Sequence, residues 1–312
     1  MSEKIRDVIM IGAGPSALAA AVYTTREDID TVLYEKGAVG GLAAITDTVD
    51  NYPGFPDGIE GMTLASQLEK QALRFGSQIE YGDVSSIRVE DGIKIVTVDG
   101  VDVKAKTVLI ATGSDYNKLG IPGEAEYYGR GVHYCATCDG AFYRDKRLVV
   151  IGGGNSAVQE AMFLTRFASH IDLLVRSYVK ASEVLIHELD EFVAQGKITV
   201  HVATIPEEIV TIDGKVVSVK ATTSGLPASF ETDGVFIFVG LKPNTQFLIG
   251  SGVELDEVGL IKTDMKLQTN IPGVFASGDV RSGATMQIAS AVGEGATAAL
   301  SIREYIDEHK SA

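Results

Sequence analysis

The chain has 312 residues, of which 45% are hydrophobic and 34 are glycine, and it carries a formal net charge of −15 at pH 7. That length is long for one hydrophobic core and suits two domains, while the acidic balance argues against nucleic acid as a partner, because phosphate binding needs a basic footprint. The start Met1-Ser2-Glu3-Lys4-Ile5-Arg6 is charged and runs into the first apolar segment, and no uninterrupted apolar stretch of about 18 residues exists. The expectation is therefore a cytoplasmic protein with neither a secretory leader nor a membrane span.

In chain order, the apolar residues 7–11 predict a strand that runs into Gly12-Ala13-Gly14-Pro15-Ser16-Ala17, followed by a helical stretch over 17–23. Glycine is needed in such a turn because the backbone must bend tightly and let a pyrophosphate approach the amides of a helix N-terminus, where the helix dipole also favours an anion. Alanine in place of the third glycine is still small enough for the helix to lie on the strand. A second strand over 31–34 ends in Glu35, roughly 20 residues into the unit, where an acidic side chain takes up ribose hydroxyls of FAD or NAD. Residues 87–89 and 93–98 flank Glu90-Asp91-Gly92 and predict a hairpin. A strand over 107–110 ends at Ala111-Thr112-Gly113, and the polar segment from Ser114 to Pro122 is a natural linker.

Cys135-Ala136-Thr137-Cys138-Asp139 then holds the only two cysteines of the chain. Two intervening residues let the sulfurs meet in a turn or first helical turn, so the pair can cycle between dithiol and disulfide, and in a cytosolic protein such a pair points to redox catalysis rather than a structural staple. A second strand–turn–helix follows: residues 147–151, then Gly152-Gly153-Gly154-Asn155-Ser156-Ala157, then 158–164. One glycine signature alone is weak evidence, but two of them, each between a strand and a helix, are strong. The matching later strand, 171–175, ends in Arg176, with Lys180 beyond it, and cations there can pair with a 2′-phosphate. Residues 209–212 and 216–219 around Asp213-Gly214-Lys215 predict another hairpin, and a strand over 235–239 ends at Gly240, ahead of the linker-like Leu241-Lys242-Pro243-Asn244. The chain thus reads as an internally repeated pair of α/β units. Its tail adds a strand over 273–276, Ser277-Gly278-Asp279-Val280, and a helix from Gln287 through Ala299. An aspartate ending a strand just ahead of a helix can reach a ribityl or ribose hydroxyl, which points back to a flavin in the first unit. His133, His170, His187, His201 and His309 show no metal-ligand spacing, so no metal site is expected and each is assigned an ordinary core or surface role. The charge-rich end from Arg303 to Lys310 suits the exposed face of a terminal helix.

The order of these motifs, together with Asn51-Tyr52-Pro53-Gly54-Phe55 and Gly131-Val132-His133-Tyr134, resembles the low-molecular-weight thioredoxin reductases of the bacterial and archaeal type along essentially the whole chain. The cysteine pair stands just ahead of the second glycine turn, whereas glutathione-reductase-like enzymes carry theirs in the FAD domain. The resemblance implies an α/β fold of two Rossmann-like, three-layer ββα dinucleotide-binding domains, the second inserted in the first. FAD would lie in residues 1–115 and 245–312, and NAD(P) in residues 116–244, which carry the Cys-x-x-Cys. It further implies a homodimer, rotation of the inserted domain, and electron flow from NADPH through FAD and a Cys135–Cys138 disulfide to a thioredoxin-like protein. Cys138 would be the sulfur near the flavin, Cys135 the one attacking the partner, and Asp139 the general acid and base. The FAD positions are Gly12, Gly14, Pro15, Ser16, Glu35, Gly41, Asn51, Ala111, Thr112, Gly113, Gly278, Asp279, Gln287 and Ile288. Those for NADP are Gly152, Gly154, Asn155, Ser156, Arg176 and Lys180.

Two departures from the family pattern stand out. The usual His-Arg-Arg run with a further arginine is reduced to Leu174-Val175-Arg176 and Lys180, which opens NADH or a protein donor such as reduced ferredoxin as an alternative to NADPH. At the last helix, Met286-Gln287-Ile288 replaces an Arg-Gln-Ala pattern and removes a cation. Two rival classes are a ferredoxin or flavodoxin reductase, which would lack the cysteine pair, and a non-enzymatic nucleotide sensor, which would not need Asp139 beside it.

Overall fold

Side chains that alternate between the two faces of the first strand, Ile5–Ile11, build two cores at once. In the computed structural model, which describes residues 4–46 and 48–309, Val8 and Met10 face one hydrophobic cluster while Ile9 and Ile11 face another. Met1, Ser2 and Glu3 of the charged start and Lys310 of the charge-rich end lie outside the described residues.

The chain divides into two units, Met1–Asp115 with Lys242–Ala312, and Tyr116–Leu241. In the first, a parallel sheet runs in the order Gln78–Tyr81, Thr31–Glu35, Ile5–Ile11, Val101–Ile110. Val274–Ala276 adds to it in parallel beside the last residues of Val101–Ile110. The beginning of that same long strand pairs antiparallel with Ile93–Val98, which pairs with Val84–Glu90. Its sequence suits both tasks: the first residues are partly exposed, as a half-solvated meander requires, and the last four are buried, as a parallel sheet covered on both faces requires. Helices Pro15–Thr25, Gly61–Arg74 and Ile288–Glu308 cover one face and the meander covers the other. The first and last of these helices approach closely because small residues line the contact. A Cβ on Gly295 would collide with the backbone of Ser16.

The second unit repeats the plan. Its parallel sheet runs Val132–His133, Gly234–Ile237, Arg147–Ile151, His170–Leu174, Ile198–His201. Helices Asn155–Leu164 and Glu183–Ala194 pack on the cluster containing Leu148, Val150 and Phe236. The meander Thr204–Ile212, Lys215–Thr223, Leu226–Glu231 covers the opposite cluster of Val149, Ile151 and Val235. Both predicted hairpins form, around Asp91-Gly92 and Asp213-Gly214, with both turn residues at positive φ as a two-residue turn matched to strand twist demands. Lys215 belongs to the strand rather than to the turn, because two loop residues already complete it. Among the described residues no helix is long and apolar enough to cross a membrane.

Candidate functional site

The first glycine turn is shaped by what surrounds it. Gly12 has φ +96°, and a Cβ there would lie 2.6 Å from the carbonyl oxygen of Ala111, so only glycine lets the turn pass against the end of the neighbouring strand. Gly14 is the N-cap of Pro15–Thr25, with no side-chain cap and open space where its Cβ would be. The first-turn amides of that helix are therefore available to an anion. Gly40 N–H donates to Ala13 O at 2.8 Å, and a Cβ on Gly41 would lie 3.7 Å from Gly14 Cα, which sets Gly41 beside the turn. Glu35 accepts from Ala13 N–H at 2.8 Å and from Gly37 N–H at 2.7 Å. Beyond its expected reach toward a ribose, it thus braces the turn itself. A cavity of about 360 Å³ opens beside Gly12, Glu35 and Thr112. Lys36, Ser85, Asn244, Gln246 and Phe247 also line it, and sequence reasoning did not single them out for a site. Asn244 is locked in place by a reciprocal pair: Thr112 Oγ1 donates to its carbonyl at 2.7 Å and its Nδ2 donates to Thr112 O at 3.1 Å.

The late Ser-Gly-Asp segment returns to the same helix. Ser16 Oγ and Ser277 Oγ lie 2.6 Å apart, and a Cβ on Gly278 would sit 3.1 Å from Ser16 Cβ. Gly278 N–H donates to Glu294 at 2.8 Å, and Glu294 is paired with Arg281 at 2.5 Å. Burial pushes the Asp279 carboxyl up to about 6, and the nearby Glu294 charge adds to this. The last helix begins where the sequence places it, with Gln287 as its N-cap. It starts at Ile288, after a connection tied down by Arg281 and by a backbone hydrogen bond from Ser282 to Ile261, and Met286 just before it has φ +55°. Gln287 is the N-cap of that helix, and its Oε1 accepts from Asn51 Nδ2 at 3.1 Å, so these two expected site residues meet across 236 positions.

In the second unit, a Cβ on Gly152 would collide with the Phe238 carbonyl and lie 2.7 Å from Ala157 Cβ, which explains the glycine there and the small residue that follows. Gly154 caps Asn155–Leu164 without a side-chain bond, again leaving first-turn amides free. Lys180 N–H donates to Gly153 O at 2.6 Å and Ser182 N–H to Asn155 Oδ1 at 2.9 Å, so the segment bearing Lys180 folds back onto the glycine turn. Arg176 is exposed, and the Lys180 ammonium sits 5.2 Å above the ring of exposed Tyr178.

Cys135 and Cys138 form a disulfide at the start of the short helix Ala136–Asp139. Cys135 is the N-cap, and its Sγ accepts from Cys138 N–H at 3.2 Å. Asp139 Oδ2 lies 3.1 Å from Nδ1 of His133, a residue assigned no special role from sequence. Burial first, and the Asp139 charge second, push the hydroxyls of Tyr128 and Tyr143 upward, so both stay protonated.

A family model described as pyridine nucleotide-disulphide oxidoreductase matches residues 6–295. A thioredoxin reductase of Listeria innocua is 42% identical over 99% of this chain and 97% of its own length. One from Bacillus subtilis is 41% identical over 98% of this chain and 96% of its own length. The crystal structure of thioredoxin reductase from Streptococcus pyogenes superposes with a TM-score of 0.93 at 38% identity, covering 98% of this chain and 100% of that one. With a disulfide built from its two cysteines, the chain is a flavoprotein disulfide reductase and belongs to the pyridine nucleotide-disulphide oxidoreductases, among the low-molecular-weight thioredoxin reductases.

Proposed function

We propose that this enzyme is an FAD-containing, NADPH-dependent reductase of thioredoxin or a thioredoxin-like protein, acting as a homodimer in the cytoplasm. FAD is assigned to the first unit, residues 1–115 with 242–312, and NADPH to the second, residues 116–241. The observation that carries the proposal is the Cys135–Cys138 disulfide in a chain with two glycine turns that each open onto an uncapped helix N-terminus, with Glu35 ending the strand after the first and Arg176 two residues past the strand after the second. The residues at the first turn fit FAD: an uncapped helix N-terminus suits the pyrophosphate, and the cavity beside Glu35 suits an adenosine. When bound, FAD supplies the two-electron relay between a nicotinamide hydride and the disulfide.

The chain's own residues perform the exchange. Two electrons and two protons convert the disulfide to a dithiol, with Cys138 as the sulfur that takes up the electrons and Cys135 as the nucleophile. Asp139 takes the Cys135 proton as the thiolate attacks one sulfur of the partner disulfide, and returns it to the partner sulfur that leaves. Cys138 then gives up its proton and attacks Cys135 Sγ in the mixed disulfide, restoring the intramolecular bond, and the second partner sulfur leaves and takes that proton as a thiol.

A second reading replaces NADPH by NADH or by reduced ferredoxin. It is favoured by the short cation set, only Arg176 and Lys180, with the Lys180 ammonium placed over Tyr178. Two measurements decide. Flavin released on denaturation is expected to be FAD at one per chain, and FMN or no flavin overturns the cofactor assignment. In anaerobic titration, bleaching by NADPH at lower concentration than NADH supports the first reading, whereas bleaching only by ferredoxin moves the enzyme to the second.

A further inference from the structure

His133 ends the strand Val132–His133, two positions ahead of Cys135, and is 4% exposed. Its ring is held by two aromatic neighbours. It stacks on Phe236 with centroids 5.0 Å apart, meets the edge of Tyr143, and its Nε2 lies 2.7 Å from the Tyr143 hydroxyl. Tyr143 is itself fixed, since its ring fills the space that a Cβ on Gly234 would need. The other ring nitrogen, Nδ1, is buried and lies 3.1 Å from Asp139 Oδ2, yet in the disulfide form it is not aligned as a hydrogen bond. A buried ring nitrogen without an aligned partner, beside the carboxylate next to Cys138, is costly unless it is used.

We propose that His133 is a positioning residue for thiol–disulfide exchange: it offers Nδ1–H to the Asp139 carboxylate, and Tyr143 fixes that tautomer by donating its hydroxyl to Nε2. The inference deepens the reductase reading above and rests on the role given there to Asp139. An ionised carboxylate only accepts hydrogen bonds, so the nitrogen facing it must carry the proton, and the opposite nitrogen must then accept one. Tyr143 can supply it because its hydroxyl stays protonated. Donation to the ionised form favours that form, so His133 stabilises Asp139 after it has given its proton to a leaving sulfur and holds it ready to receive the next. The other titratable groups around the pair are Tyr128, which faces Asp139, and Asp233, which faces Tyr143.

The test uses the full-length holoenzyme and the variants His133→Leu, His133→Asn and Asp139→Asn. The first readout is the rate at which the chemically reduced dithiol reduces oxidised glutathione at neutral pH, which needs no nucleotide and no thioredoxin. His133→Leu is expected to slow this step by roughly tenfold at neutral pH, because the Asp139 carboxylate loses the donor that holds it in place. His133→Asn, which keeps an N–H near the Nδ1 position, should restore most of the rate. In Asp139→Asn the added His133→Leu should change little. Anaerobic reduction of the flavin by NADPH, measured on the same samples, should be alike in wild type and His133→Leu. An unchanged rate in His133→Leu, no recovery in His133→Asn, or equal losses with and without Asp139 would overturn the proposal. Failure of the wild type to reduce thioredoxin while it still reduces glutathione disulfide would overturn the partner assignment and leave the His133 result readable.

Discussion

Ser16 and Ser277 share a buried hydrogen bond of 2.6 Å across 261 positions of chain. Ser16 stands in the first turn of the helix that follows the first glycine turn, and Ser277 follows the late strand Val274–Ala276, so this bond clasps the two chain segments of one unit. Both residues are nearly inaccessible, at 5% and 0% exposure, so removing one hydroxyl leaves the other without water as a substitute. Ser277→Ala should therefore lower the stability of the unit by about 1–3 kcal/mol in urea unfolding. The double variant with Ser16→Ala should cost less than the sum of the single ones, and simple additivity would refute the clasp.

Cys135→Ser and Cys138→Ser should each abolish reduction of a thioredoxin disulfide while the protein stays yellow. The exchange needs both sulfurs, and neither lies in the unit that carries the first glycine turn. Turnover in either variant, followed by loss of thioredoxin disulfide, would exclude the dithiol route.

Arg176 is exposed just past the strand His170–Leu174, where a 2′-phosphate would be read. Arg176→Ala should raise the KM for NADPH by roughly tenfold to a hundredfold, the equivalent of one lost charge-assisted bond, and change that for NADH far less. Equal changes for the two nucleotides would remove Arg176 from phosphate recognition.

Asp279 gives a pH test. Its carboxyl is pushed from an ordinary 3.8 to about 6, chiefly by burial, so between those values the folded chain holds a proton that the unfolded chain has released. The group therefore costs stability increasingly as pH rises from about 4 to 6, and the full cost persists above. In flavin-free protein, Asp279→Asn should raise stability at pH 7 by up to about 2–3 kcal/mol and alter it little at pH 4. An equal effect at both pH values in urea unfolding would show that Asp279 does not hold this proton.

The amino-acid sequence by itself determined the features that local physics controls. Asp91-Gly92 and Asp213-Gly214 announced hairpins because a two-residue turn requires positive φ at both positions. The two glycine turns were legible from spacing, since Gly12 and Gly152 stand where any side chain would meet a neighbouring carbonyl. The pairing of Cys135 with Cys138 followed from there being two cysteines at a separation a helical turn can close.

Only the tertiary structure decided which distant residues meet. Asn51 with Gln287, Thr112 with Asn244 and Ser16 with Ser277 come together through sheet crossovers, and no periodicity along the chain encodes such meetings. Glu35 was legible as an acidic strand end but not as a brace for the turn at Ala13, because that depends on how closely two parallel strands bring their ends together. The helix from Gln287 was legible in the sequence, but the connection from Asp279 to it is shaped by Arg281 pairing with Glu294 inside that helix, which only the fold brings about. His133 lies in the Gly131-Val132-His133-Tyr134 motif, but nothing in its spacing pointed to a role. Its partners Asp139 and Tyr143 lie on a short helix and the turn after it, and their distances to its two ring nitrogens are set by the packing of Phe236 and Gly234 on the adjacent strand, which local sequence cannot express.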